Sequence, residues 1–278
     1  MVSLCFKSLN KNTIKNLEEL IEKSNIKNVV FSIRKFSKFY NLIIHYTGTH
    51  SIYFYSSISD LFSIFIINSY ENKLLLRQLK LDFFYFTFDE QNEIYNKTKE
   101  LLDNANIVYE KKKILYASIY SYIKNNKSCI LDGFINFRIS NYLKYINHHL
   151  ENAVHEFVIH KEYIEYISLL KDYIHEKTPC TGLVHVIYSC SCKSLFDENF
   201  NLITTTSQKK YLSDISFSEN DFILNSLLSL TPAKIIIHCT DKQDTFLNFL
   251  SSIFEDRCEF CSSCKFCITA LDNKQQIP

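Results

Sequence analysis

Lys234-Ile235-Ile236-Ile237-His238 is an apolar run with little alternation, and the residues on either side of it decide the fold. Such a run reads as a strand covered on both faces. Just beyond Cys239, Asp241 can cap a helix in which Phe246, Phe249 or Leu250 and Ile253 recur at helical spacing. Arg257 to Cys261 then reads as the next strand. A strand–helix–strand unit this compact predicts parallel strands with a right-handed crossover. Upstream, Ser218 and Asp221 form a capping-box pattern opening a helix that runs to Leu230 and stops at Pro232. Before it, Leu183–Cys192 and Phe200–Thr206 flank Asp197-Glu198-Asn199, which predicts a hairpin.

Working outward, the periodicity from about Ser59 to Glu176 is helical. Ile135, Ile139, Tyr142 or Leu143, Ile146, Leu150, Ala153 or Val154 and Phe157 recur at steps of three or four, the stripe of a long amphipathic helix from Leu131 to Ile159. A second helix, Tyr163–Ile174, follows, and Pro179 ends the region. At the amino end, Ser3–Lys7 and Asn28–Lys35 read as strands around a helix from Thr13 to Lys23. Asn41–Tyr46 and Ser51–Tyr55 read as a hairpin whose turn uses Gly48 at positive φ. The expected class is α+β: an N-terminal α+β domain (1–88), a helical region (89–178) and a C-terminal α/β domain (179–278) with a Cys-rich end.

Composition narrows the function. The 278 residues are 46% hydrophobic, ample for packed cores, and carry a net charge of +1 with acids and bases interleaved. The densest basic runs, Lys111-Lys112-Lys113 and Lys209-Lys210, read as solvated surface. No basic stripe fit to neutralise phosphates is present, so no nucleic-acid partner is expected. No signal peptide is evident, and the most apolar run, Leu61 to Ile67, is far short of the roughly 20 residues that span a bilayer. A cytoplasmic protein without a membrane span is expected, its ten cysteines mostly reduced.

The chemistry concentrates at the carboxy end. Cys258, Cys261, Cys264 and Cys267 stand at three-residue spacing, and eight of the ten cysteines lie between Cys180 and Cys267. Gathered thiolates bind soft metal ions well. Cys190 and Cys192 would share a strand face, and Cys239 sits just past the buried strand. If the two strands are parallel, Cys239 and the tail thiols approach one rim of the sheet, where open α/β sheets place their ligand sites. A tetrahedral zinc site needs ligands from two loops, which a tail pair with Cys239 and Cys190 or Cys192 would supply. An iron–sulfur cluster would use three thiols at x2 spacing, although the ferredoxin x3-Cys-Pro ending is missing. The spacing also leaves open thiols with no ligand at all.

Other candidates are weaker. His155 and His160 mimic a zinc-protease motif, but five residues put them roughly 140° apart on a helix. His148 and His155 share a face that reads as polar surface. His185 and His238 lie in strands near the cysteines and could act as mixed ligands, though each alone reads as a hydrogen-bonded strand residue. Arg138, one of four arginines, fits an ion pair with a neighbouring helix better than an anion clamp. No nucleophile elbow, phosphate loop or carboxylate dyad occurs, so no catalytic residue is assigned and an enzyme is not expected.

The blocks Ile130-Leu131-Asp132-Gly133-Phe134-Ile135-Asn136-Phe137-Arg138, Ala153–Leu170 and Leu224–Cys267 together resemble the YtxC-like family of sporulation-associated proteins from endospore-forming bacteria. The resemblance implies a cytosolic protein connected with sporulation, with no family reaction to carry over. It matches Cys261, Cys264 and Cys267 to a cysteine-rich family end, but not Cys190, Cys192 or Cys239. The expectation is a non-enzymatic factor that acts through an unidentified protein partner. The alternative is a metal-binding or redox-sensing protein holding zinc or an iron–sulfur cluster.

Overall fold

The structure is a computed structural model, and it describes residues 2–189, 193–203, 218–239, 242–261, 264 and 267. The chain divides into two compact units, Met1–Ile159 and His160–Pro278. The whole is mixed α+β with two small sheets.

In the first unit, β1 (Val2–Ser8) is followed by α1 (Lys11–Lys23), β2 (Val29–Phe36) and β3 (Phe39–Tyr46). Asn10 caps α1, which buries Ile14, Leu17 and Ile21 as its spacing predicts. β1 and β2 both pair antiparallel with β3, and a short β4 (Ser128–Ile130) adds parallel to β1, giving the order β2-β3-β1-β4. The hairpin therefore joins β2 to β3, through Ser37 at φ 53°.

Ser51–Tyr55, expected as a strand, instead opens α2 (Ser51–Asp82). Phe54, Ile58, Phe62, Phe65 and Ile66 bury one helical stripe, and Phe54 stacks on Tyr46 with ring centroids 4.9 Å apart. Five residues, four of them in an unbroken apolar and aromatic run, could not distinguish that stripe from a strand. Gly48 does not use positive φ. An added Cβ there would lie 2.4 Å from the Tyr46 hydroxyl oxygen, so the close approach of that ring demands glycine.

The helices α3 (Phe88–Leu102), α4 (Ala105–Asn125) and α5 (Leu131–Phe137) complete the unit with the first part of α6 (Ser140–Glu176). The predicted helix from Leu131 breaks at Arg138, and α6 then runs without interruption past Tyr163. Arg138 is exposed and joins no ion pair among the described residues. Lys111, expected on the surface, is only 1% exposed. Its ammonium lies 2.8 Å from the Glu71 carboxylate, whose other oxygen accepts from the Tyr142 hydroxyl. A charge this deep persists only when paired. Lys112 and Lys113 pair at the surface with Asp60 and Glu110. Lys209 and Lys210 lie outside the described residues.

The second unit carries the sheet that positions the candidate site. β5 (Thr181–Tyr188) pairs antiparallel with β6 (Lys193–Asp197) and parallel with β7 (Pro232–Cys239), which pairs parallel with β8 (Cys258–Cys261). The Asp197–Asn199 turn is present, but among the described residues it closes only the single bridge Phe196↔Leu202, and the strand before it is β6, while residues 204–206 of the expected partner strand lie outside the described residues. α7 (Glu219–Leu230) starts at the Ser218/Asp221 capping box. α8 (Thr245–Phe254) is capped by Asp244, whose carboxylate accepts from the Phe246 and Leu247 amides, while Asp241 lies outside the described residues.

Side chains alternate across a strand, and register decides which of them share a face. One face presents Val184, Val186, Leu195, Ile235, Ile237 and Cys239 to a core that also holds Leu227, Leu247, Leu250 and Ile253. The residues between them, His185, Ile187, Ile236, His238 and Cys261, belong to the other face. That alternation is legible in the middle of β7, where Ile235 and Ile237 are buried while Lys234 is exposed and Ile236 only half-buried. Only at its carboxy end, from Ile237 to Cys239, are successive residues buried on both faces.

Candidate metal centre

The parallel register sets His238 directly beside Cys261. Both sit at the carboxy ends of their strands, on the face turned away from the core. Beyond Cys261 the chain brings Cys264 and Cys267 back over His238. Cys267 is only 2% exposed, and its amide donates to the Cys264 sulfur at 3.3 Å.

The four ligand atoms converge. His238 Nδ1 lies 3.1 Å from Cys267 Sγ and 3.5 Å from Cys264 Sγ. Cys264 Sγ and Cys267 Sγ are 3.4 Å apart, and Cys267 Sγ is 3.7 Å from Cys261 Sγ. All four atoms fall within 4.8 Å of one another. A tetrahedral zinc ion with ordinary Zn–S and Zn–N bonds spaces two sulfurs by about 3.8 Å and a sulfur and a nitrogen by about 3.6 Å. These four separations are close to those edges, so a small inward or outward adjustment of the side chains would close a shell around a single ion.

The electrostatics suit a cation. Burial pushes the Cys267 thiol up to about 12, helped by its hydrogen bonds with the neighbouring thiols of Cys264 and Cys261. Burial, then the proximity of His185, lowers His238, and burial lowers His185 against the opposing pull of Asp197. Both imidazoles are thereby kept in the neutral form that metal ligation requires. A divalent ion would supply the positive charge that burial denies the Cys267 thiolate, inverting that local balance and releasing protons as the thiols bind.

The structure brings together Cys261, Cys264 and Cys267 with His238, one of the two strand histidines that the sequence offers as mixed ligands. It does not bring in Cys239 or Cys258. Cys239 is one residue past His238, so strand alternation turns it into the core, where it is 1% exposed. Cys258 pairs with Ile235 and shares that core face, and burial pushes its thiol up to about 12. Cys190 and Cys192 lie outside the described residues. The sequence signal that singles out His238 is its position: it stands near the carboxy end of a strand expected to lie parallel to the one ending in Cys261. His148 and His155 stand on an exposed helical face, where His148 Nε2 lies 3.4 Å from the side-chain amide of Asn152 one turn along the same helix.

A family model described as the YtxC-like family matches residues 56–259, well over half of the 278-residue chain. The chain belongs to the YtxC-like family. The uncharacterized protein YtxC of Bacillus subtilis (strain 168) is 19% identical over 207 residues, covering 70% of this chain and 73% of that protein. No solved structure matches. The family match includes His238 but ends at residue 259, before the three converging thiols. Among the described residues, no helix is long and apolar enough to cross a membrane.

Proposed function

We propose that this chain is a metal-binding member of the YtxC-like family, holding one thiophilic divalent ion, zinc in the first place, at His238, Cys261, Cys264 and Cys267. The convergence of four soft donor atoms within 4.8 Å supports this reading. Sulfur separations of 3.4 and 3.7 Å favour a single ion over an iron–sulfur cube, in which each thiolate would bind a different iron. Four protein ligands complete a tetrahedral shell and leave no open position for a substrate, the pattern of structural rather than catalytic zinc. The centre would then fix the fold of the second unit, and the protein would act through contacts with a protein partner, in line with the sporulation link that the resemblance implies.

Metal analysis of anaerobically purified protein tests the proposal. One equivalent of zinc per chain is expected, with Cys264→Ser and His238→Ala losing it. Metal-free protein whose tail thiols all react with a thiol reagent at the rate of denatured chain would overturn it.

A further inference from the structure

The face of the sheet that carries the metal centre holds a second imidazole that no ligand set includes. His185 Nδ1 lies 3.0 Å from His238 Nε2, and the two residues are 6% and 3% exposed. One proton is shared across that contact, and its location decides what His238 can do. If His185 Nδ1 carried it, His238 Nε2 would accept and Nδ1 would hold the remaining ring proton, pointing an N–H at the sulfurs. If His238 Nε2 carries it, His238 Nδ1 presents a lone pair to Cys264 and Cys267. Only the second arrangement can ligate a cation.

We propose that His185 is a positioning residue for this centre: its Nδ1 accepts the Nε2 hydrogen of His238 and holds His238 in the tautomer whose Nδ1 lone pair faces the thiols. This role rests on the metal-binding reading above. Metal-ligating histidines characteristically donate their second ring N–H to a fixed acceptor, which orients the ring and raises its basicity. Here the acceptor is itself held. The His185 ring stacks on Phe200 with centroids 4.4 Å apart and planes at 22°, and strand pairing fixes its backbone between β6 and β7. With the donor and acceptor shielded from water, no solvent molecule readily replaces a lost acceptor.

Cobalt(II) and zinc titrations of the full chain test the role, with affinities set by competition against a chelator. His185→Phe keeps an aromatic ring against Phe200 and removes the acceptor, whereas the Oδ1 of His185→Asn occupies roughly the place of Nδ1. We expect His185→Phe to weaken binding by about 10- to 100-fold, the usual effect of losing such a partner. The thiolate-to-cobalt absorption at saturation should be unchanged, and His185→Asn should recover most of the affinity. Nitrogen-15 shifts of the metal-free chain should show His238 protonated at Nε2 in the wild type and redistributed between tautomers in His185→Phe. Thermal unfolding in excess chelator shows whether each variant is folded. Wild-type binding with His185→Phe within twofold of it would overturn the role of His185 alone. Equal losses in His185→Phe and His185→Asn would also overturn it, by showing that ring packing rather than the acceptor matters. Wild-type protein that takes up neither ion would overturn the metal reading itself, and the role of His185 with it.

Discussion

Cys239 and His238 are neighbours in sequence, yet they stand on opposite faces of one sheet. Replacing Cys239 by Ser should therefore leave zinc stoichiometry intact while destabilising the second unit, because a hydroxyl costs more to bury than a thiol. Chemical denaturation beside metal analysis checks both parts, and loss of zinc in that variant would contradict the face assignment. Cys129 offers a separate test in the first unit. Burial alone pushes its thiol from 9.0 up to about 12. Because the folded-state value is the higher one, the contribution of this thiol is fully present below about pH 9. It is lost as the pH climbs toward 12 and the unfolded chain ionises first. Between those limits Cys129→Val should flatten the fall of stability with pH, which unfolding curves at a series of pH values would show. At this scale the sequence revealed the right residue types. Four thiols at three-residue spacing flagged the tail, but spacing gives no face, so Cys258 looked equivalent to Cys261 until register separated them.

Among the elements, α2, α4 and α6 meet at Glu71, Lys111 and Tyr142. Lys111→Met should cost about 3–5 kcal/mol, because it leaves the Glu71 carboxylate buried without its counter-charge. The double variant with Glu71→Gln should regain much of that loss, since the neutral amide removes the unpaired charge and still accepts from the Tyr142 hydroxyl. Urea unfolding of the two single variants and the double variant measures the coupling, and additive losses would disprove it. Nothing in Lys111-Lys112-Lys113 sets the first lysine apart except its helical phase relative to Leu115 and Ile119, both buried with it on α4. Helix and strand types were readable wherever a stripe was long or a cap was explicit, as with Ser218 and Asp221. They were misread at Ser51–Tyr55, where five residues fit either period and the stacking of Phe54 on Tyr46 decided the matter.

For the molecule as a whole, a bound ion should act as a ligand of the folded second unit. Zinc at about a thousand times its dissociation constant would add about 4 kcal/mol to the stability of that unit. Hydrogen exchange should slow along β7 and β8 when zinc is supplied, and unchanged protection there would count against a folded-state site. The sequence by itself determined the class of fold, the family and the concentration of thiols at the carboxy end, because periodicity, caps and composition are local properties of the chain. Only the tertiary structure decided that His238 rather than Cys239 joins those thiols and that His185 stands behind it. Strand pairing between segments more than twenty residues apart sets that choice, and a one-residue change of register would turn every one of those side chains to the other face.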